Sequence, residues 1–154
     1  MNLPERKKNR LSGYNYSQNG AYFVTFCTKD RRAVLSDIVG DDALIVPKPY
    51  GLVLEKHIRN VPEIEKYVIM PDHVHLLIRL DHGPMWASAP TDNPNRVASI
   101  VRSIKALTTK ELGEAIFQRS YYDHVIRNEQ DYYETWQYIE NNPRNRLLQK
   151  ADDL

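Results

Sequence analysis

Apolar and polar positions along this chain follow two periods, and the switches between them outline the elements. Residues 21–28 (AYFVTFCT) are aromatic and β-branched and predict a strand. Val34 to Val46 reads as two short apolar strands about a Gly40-Asp41-Asp42 turn, with Pro47 and Pro49 breaking the ladder. Apolar residues at 52, 54, 58 and 61, with charges between them, predict an amphipathic helix over Leu52 to Val61 that Pro62 ends. Glu63 to Met70 and His73 to Leu80 then predict two strands about the turn signal Pro71-Asp72. Residues 81–95 carry Gly83, Pro84, Pro90 and Pro94 without periodicity and predict a loop. Val97, Ile100, Val101, Ile104, Leu107 and Leu112 recur at helical spacing, so Asn95 to Leu112 is a second helix, stopping at Gly113. A short strand lies within Phe117 to Ile126. Asn128 caps a last helix, with Glu129 and Asp131 in its first turn and Pro143 as its stop.

Strand, helix, strand, strand, helix, strand is the order of an α+β, ferredoxin-like split βαβ fold with a central antiparallel sheet. Here a small hairpin is inserted early, and a C-terminal helix is appended. One domain over residues 1–154 is expected, opened by an extended, polar N-terminal segment at 1–20 that is basic at Arg6, Lys7, Lys8 and Arg10. The fold hosts many functions, so function must be read from side chains.

Composition narrows the classes. Apolar residues make up 42% of the 154, which suits a globular chain. No apolar run approaches the roughly 20 residues of a membrane helix, and no apolar core follows the basic N-terminus as a signal peptide requires. Cys27 stands alone, so a disulfide framework and a Cys-rich zinc site are excluded. A soluble, cytoplasmic protein with no membrane partner is the expectation. Net charge is only +1, but Arg144, Arg146 and Lys150 add a second basic cluster; charge permits nucleic acid without arguing for it.

His73-Val74-His75 is the sharpest local feature. Alternate strand residues share a face, so both imidazoles point one way while Val74, Leu76 and Ile78 point toward the core. Paired imidazoles suit a divalent ion, although an isolated His-x-His is more often a pair of hydrogen-bonded strand residues. The last helix offers what the pair lacks. At about 100° per residue, Tyr132, Trp136 and Ile139 cluster on one side with Tyr133 at its edge, and Tyr132 and Tyr133 read as packing residues. Glu134, Tyr138 and Asn142 fall on the far side, one turn apart. Tyr138 is thus the tyrosine that packing does not need. A phenol with a pKa near 10 needs help as a nucleophile, and a divalent ion polarising a phosphodiester supplies it. His73, His75 and the amide oxygen of Asn142 would make a three-ligand site for Mg²⁺ or Mn²⁺, His ligation leaning towards Mn²⁺. His57 and His82 read as surface residues, and His124 as a capping or packing residue.

These residues carry a family resemblance. VIMPDHVHLLI at 68–78 resembles the His-hydrophobic-His signature of the HUH endonucleases, within the IS200-like (Y1) transposases. GYNYSQNGAYFVTFCTKDRR at 13–32 and RSYYDHVIRNEQDYYETWQYIENNP at 119–143 match the same group, the latter most closely its REP-associated tyrosine transposases. The three stretches span most of the chain in the family's order. The resemblance implies a nucleophile at Tyr138 and metal ligands at His73, His75 and Asn142. In insertion-sequence members the last ligand is typically Gln, one methylene longer. Tyr133 and Tyr138 differ by about 140° in helical phase and cannot share a site, which fits the single-tyrosine branch.

The activity so implied is nicking and joining of single-stranded DNA beside a hairpin, through a 5′-phosphotyrosine intermediate and without a nucleotide cofactor. Consistently, the chain lacks a phosphate-binding glycine loop. The family includes both monomers and helix-exchanged homodimers, and either state is open to this chain. A rival from another class is a non-catalytic RNA- or single-strand-binding module stacking bases on its sheet; it leaves the His pair, Tyr138 and Asn142 without a common purpose. A histidine-triad hydrolase is excluded because Leu77 stands where a third alternate His is required.

Overall fold

A computed structural model describes residues 20–80 and 95–152, with side chains through Arg144. The central sheet has four antiparallel strands: β1 (Ala21–Cys27), β4 (Ile64–Ile69), β5 (His73–Arg79) and β6 (Tyr122–Ile126), in the order β4-β5-β1-β6. Between β1 and β4 the chain makes the small hairpin β2 (Ser36–Val39) and β3 (Leu44–Pro47), then helix α1 (Pro49–Arg59). Helix α2 (Arg96–Leu112) joins β5 to β6, and α3 (Glu129–Asp152) follows. The two interleaved crossovers give the ferredoxin-like order expected from the sequence.

Alternation along the strands divides the sheet into two faces. On one, Tyr22, Val24 and Phe26 of β1 meet Val74, Leu76 and Ile78 of β5, all essentially sealed from solvent. The helices α1 and α2 close this face with Leu54, Ile58, Val97, Ile100 and Ile104. Gly51 lets α1 press onto the chain before β2, since a Cβ there would stand 2.0 Å from the Leu35 carbonyl oxygen. Gly113 ends α2 in the left-handed region at φ 80, as the sequence suggests.

Some boundaries differ from the sequence expectation. Helix α1 begins at Pro49 rather than Leu52, because proline's fixed φ suits a first helical position where its missing N–H costs nothing. A short 3₁₀ turn at Lys29–Arg31, with Asp30 and Arg31 at φ 55 and 54, was not anticipated from the residue pattern. Pro143 does not stop the last helix: α3 runs through it to Asp152 with the proline ring buried. Proline's φ is helical; the hydrogen bond to the carbonyl four residues back is lost and the ring crowds that carbonyl, a cost that burial of the ring offsets. The expected segment at 1–19, the loop at 81–94 and His82 lie outside the described residues.

The second face is also covered, by α3. Ile139, Tyr132 and Trp136 pack with Leu77, Val68 and Met70 against β4 and β5. Lys66 lies 4.4 Å from the Trp136 ring centre and pairs with Glu140. Asn128 caps α3 as expected, its Oδ1 accepting from the Asp131 backbone N–H at 2.8 Å. Tyr133, expected to pack, is 60% exposed instead. The buried arc of α3 is centred to the other side of Ile139 and takes in Thr135 and Asn142.

Candidate active site beneath the last helix

Both histidines of the HVH motif project from β5 onto the α3 face, with ring centres 4.8 Å apart. The sequence places them opposite the core, and so they are, but not in solvent: His75 is 5% exposed, because α3 and Phe23 cover it. Phe23 stacks on the His75 ring at 5.1 Å. Burial pushes the His75 imidazolium down to about 3, and the neighbouring His73 acts in the same direction. The ring is therefore neutral at any ordinary pH, as a metal ligand must be.

Each imidazole is held through Nδ1. His73 Nδ1–H donates to Asp72 Oδ1 at 2.7 Å. The other carboxylate oxygen of Asp72 takes Arg31, whose Nε and Nη2 both lie 3.2 Å from Oδ2. His75 Nδ1 lies 2.7 Å from Thr25 Oγ1, the residue paired with it across β1 and β5. The carboxylate can only accept, so His73 carries its proton on Nδ1 and its basic lone pair on Nε2; His75 does the same in the tautomer whose Nδ1–H donates to the Thr25 hydroxyl. His75 Nε2 is buried and has no hydrogen-bond partner. A buried ring nitrogen without a partner is costly in a folded protein, and in the tautomer protonated at Nδ1 its lone pair calls for a proton donor or a cation. Carboxylate and hydroxyl groups bonded to the far nitrogen are also how metal-ligating histidines are oriented.

Tyr138 reaches this pair from its own chain. Its ring meets His75 edge-on at 5.4 Å and Phe23 at 5.7 Å, while the residue stays 48% exposed. The sequence puts Tyr138 and Asn142 on the far side of α3; they stand instead on the flank turned to the sheet. Asn142, one turn beyond Tyr138, is 8% exposed. His73, His75 and Tyr138 are thus linked by ring contacts on one face, and Asn142 is buried one helical turn beyond Tyr138.

No group of three or more His, Cys, Asp or Glu side chains among the described residues is arranged to hold a metal. An ion here would take the two imidazoles and further oxygen donors, among which the buried amide of Asn142 is one. The residues present thus fit a divalent ion held by two Nε2 atoms and oxygen. Sequence reading missed Asp72, Thr25 and Arg31. Asp72 was legible only as a turn residue, although its place directly before His73 was a signal. Thr25 needs the strand register, which periodicity does not supply.

The other two described histidines are held in ion pairs away from the site. His124 Nε2 lies 2.8 Å from Asp131 Oδ2 and ties β6 to the first turn of α3. His57 is not the free surface residue expected; its side chain is only 11% exposed and lies 3.0 Å from Glu111 of α2.

Comparison with known proteins finds a family and several relatives. The family described as transposase IS200-like matches residues 16–142. An uncharacterised Haemophilus influenzae protein is 31% identical over 176 residues, covering 99% of this chain and 94% of its own. A second protein of that organism, named as a REP-associated tyrosine transposase, is 25% identical over 142 residues, covering 86% of this chain and 76% of its own. A solved REP-associated tyrosine transposase bound to a REP hairpin shares the fold at a TM-score of 0.61 with 25% identity, over 89% of this chain and 73% of that one.

Proposed function

The chain belongs to the IS200-like transposase family, and from that premise we propose that it nicks and rejoins single-stranded DNA through a covalent bond to Tyr138. The observation that carries this reading is Tyr138 lying edge-on, 5.4 Å away, over a buried His75 whose Nε2 has no partner. His73, His75 and Asn142 would hold the divalent ion, Mg²⁺ or Mn²⁺. When bound, that ion neutralises charge on the phosphoryl oxygens of the attacked diester.

The rest is work for the chain's own residues. Asp72 and Thr25 fix the two imidazole rings with Nε2 turned to the site. Phe23 and α3 exclude water from His75, while Tyr138 keeps its hydroxyl at the solvent edge where a DNA strand arrives. Attack of Tyr138 Oη forms an Oη–P bond as the P–O3′ bond breaks. The phenolic proton leaves to solvent, and the departing strand end takes up a proton as a 3′-hydroxyl. Attack by a 3′-hydroxyl on the phosphotyrosine reverses the bookkeeping of bonds and rejoins strands, so no nucleotide cofactor is consumed. The substrate is single-stranded DNA flanking a hairpin; in support, the REP-associated tyrosine transposase of known structure is bound to a REP hairpin. Because Tyr138 meets its own chain's His75, one monomer suffices for cleavage, in the cytoplasm where such DNA is available.

The test uses labelled single-stranded DNA carrying a stem-loop, resolved on a denaturing gel. Wild type forms an adduct with Mg²⁺ or Mn²⁺ and none in chelator, while His73→Ala and His75→Ala form none at the same metal level. Asn142→Ala should raise the metal requirement by about 10- to 100-fold or more, with Asn142→Gln better tolerated. Tight binding with no adduct in any metal would favour the non-catalytic binding module.

A further inference from the structure

Beyond the quartet, the same sheet face carries an exposed aromatic side chain with no packing role, Tyr122 on β6. Resting on the function proposed above, we propose that Tyr122 is a positioning residue. It stacks a base of the single-stranded DNA a few nucleotides from the scissile phosphate.

The register fixes where it stands. Tyr122 pairs with Thr25 on β1, and Thr25 pairs with His75 on β5. Residues paired across antiparallel strands share a face, so Tyr122, Thr25 and His75 form one row. Neighbouring strands are about 4.8 Å apart, which sets Tyr122 roughly 10 Å from His75. That is the span of about three nucleotides at ~3.4 Å each in a stacked strand.

Coverage fixes the direction. Helix α3 starts beyond the C-terminal end of β6, where Asp131 holds His124, and crosses to pack on β4 and β5. The β4 side of the site is therefore closed by Trp136, Ile139 and the Lys66–Glu140 pair. Among the described residues nothing covers the N-terminal end of β6, and Tyr122 is 58% exposed there. A strand leaving Tyr138 on this face passes over the β1–β6 row. The chain neighbours of Tyr122 do the packing instead: Tyr121 and Val125 are buried against the α1–α2 core. Isolated exposed aromatics are ordinary, but this one is in line with the reactive rings, on a side that none of the described residues covers. A ring there offers sequence-tolerant stacking to any base.

The experiment measures adduct formation by Tyr122→Ala, Tyr122→Phe and Tyr122→Trp on single-stranded stem-loop DNA, with a fluorescent adenine analogue walked along the flank. Tyr122→Ala should raise KM roughly 5- to 100-fold, the range for losing one stacked base, with kcat and Tm unchanged. Tyr122→Phe and Tyr122→Trp should restore KM. Wild type should quench the analogue at about three nucleotides from the cleaved bond, and Tyr122→Ala should not. Unchanged KM in Tyr122→Ala, a fall in kcat alone, or equal loss in Tyr122→Phe would overturn the stacking role. Quenching by a wild type that forms no adduct would keep this role and sink the nuclease reading; wild type that neither quenches nor reacts would sink both.

Discussion

The two faces of the central sheet are built from alternate residues of the same strands, and they are put to opposite uses. Toward α1 and α2, β1 and β5 present Tyr22, Val24, Phe26, Val74, Leu76 and Ile78, a continuous apolar layer with no titratable side chain but a phenol. Toward α3 the intervening residues are Phe23, Thr25, Cys27, His73, His75 and Leu77, only part of which is apolar. A one-residue step along β5 thus passes from Val74, which serves stability, to His75, a buried nitrogen base without a partner. The cost of that base is tolerable because the other face supplies the core. The lesson is that a two-layer sheet with one well-filled face can afford a polar, reactive second face.

Core and site should therefore separate under substitution. The largest effect is expected on the first face: Leu76→Ala should cost about 2–5 kcal/mol of unfolding free energy by leaving a cavity, read by chemical denaturation. At temperatures where it stays folded, its adduct formation per folded molecule should equal wild type. A Leu76→Ala protein that is stable yet inactive would show that the faces are not independent.

The second expectation concerns acid. His75 is held neutral in the fold, far below the ordinary value near 6.5, so the unfolded chain binds more protons throughout that interval. Stability is then fully present above pH 6.5 and falls as the pH drops towards 3. In chelator the loss between pH 6.5 and 4 should be on the order of 3 kcal/mol from this group. His75→Phe should flatten that part of the profile, whereas Leu76→Ala should shift it down without changing its slope. An unchanged slope in His75→Phe would mean that the ring is not the buried neutral base described.

A smaller effect should come from the residues that aim the histidines. Asp72→Asn retains a polar partner for His73 but removes the charge that draws its Nδ1–H and binds Arg31. Metal affinity should fall about 10- to 100-fold, measured by calorimetric titration, with less than about 1 kcal/mol lost in the metal-free fold, as for an ordinary neutral hydrogen bond. Equal losses with and without metal would make Asp72 a turn residue only.

Much of this division was legible in the sequence. Period-2 alternation through 73–78 shows that His73 and His75 leave the core together; helical periodicity separates Tyr138 from Tyr132 and Trp136 but sets it on the side away from the sheet. What failed was what depends on a second element. The sequence left the histidine face open, because nothing in β5 says that α3 folds back over it. Tyr133 was assigned to packing, because the arc of α3 that is buried is set by where the helix docks. Pro143 was read as a stop, because local rules count a lost hydrogen bond and not the burial of the ring. Thr25 and Arg31 act across strands and turns, at sequence distances where only topology makes them neighbours of the site.

The central claim is that Tyr138, and no other tyrosine of α3, is the group that becomes bonded to DNA. It is tested most directly by trapping the adduct with stem-loop DNA and Mn²⁺, digesting protein and DNA, and locating the phosphotyrosyl peptide by mass spectrometry. The modification should fall on Tyr138, and Tyr138→Phe should yield no adduct while binding DNA as wild type does. A nucleotide remnant on Tyr132 or Tyr133, or full adduct formation by Tyr138→Phe, would contradict the account.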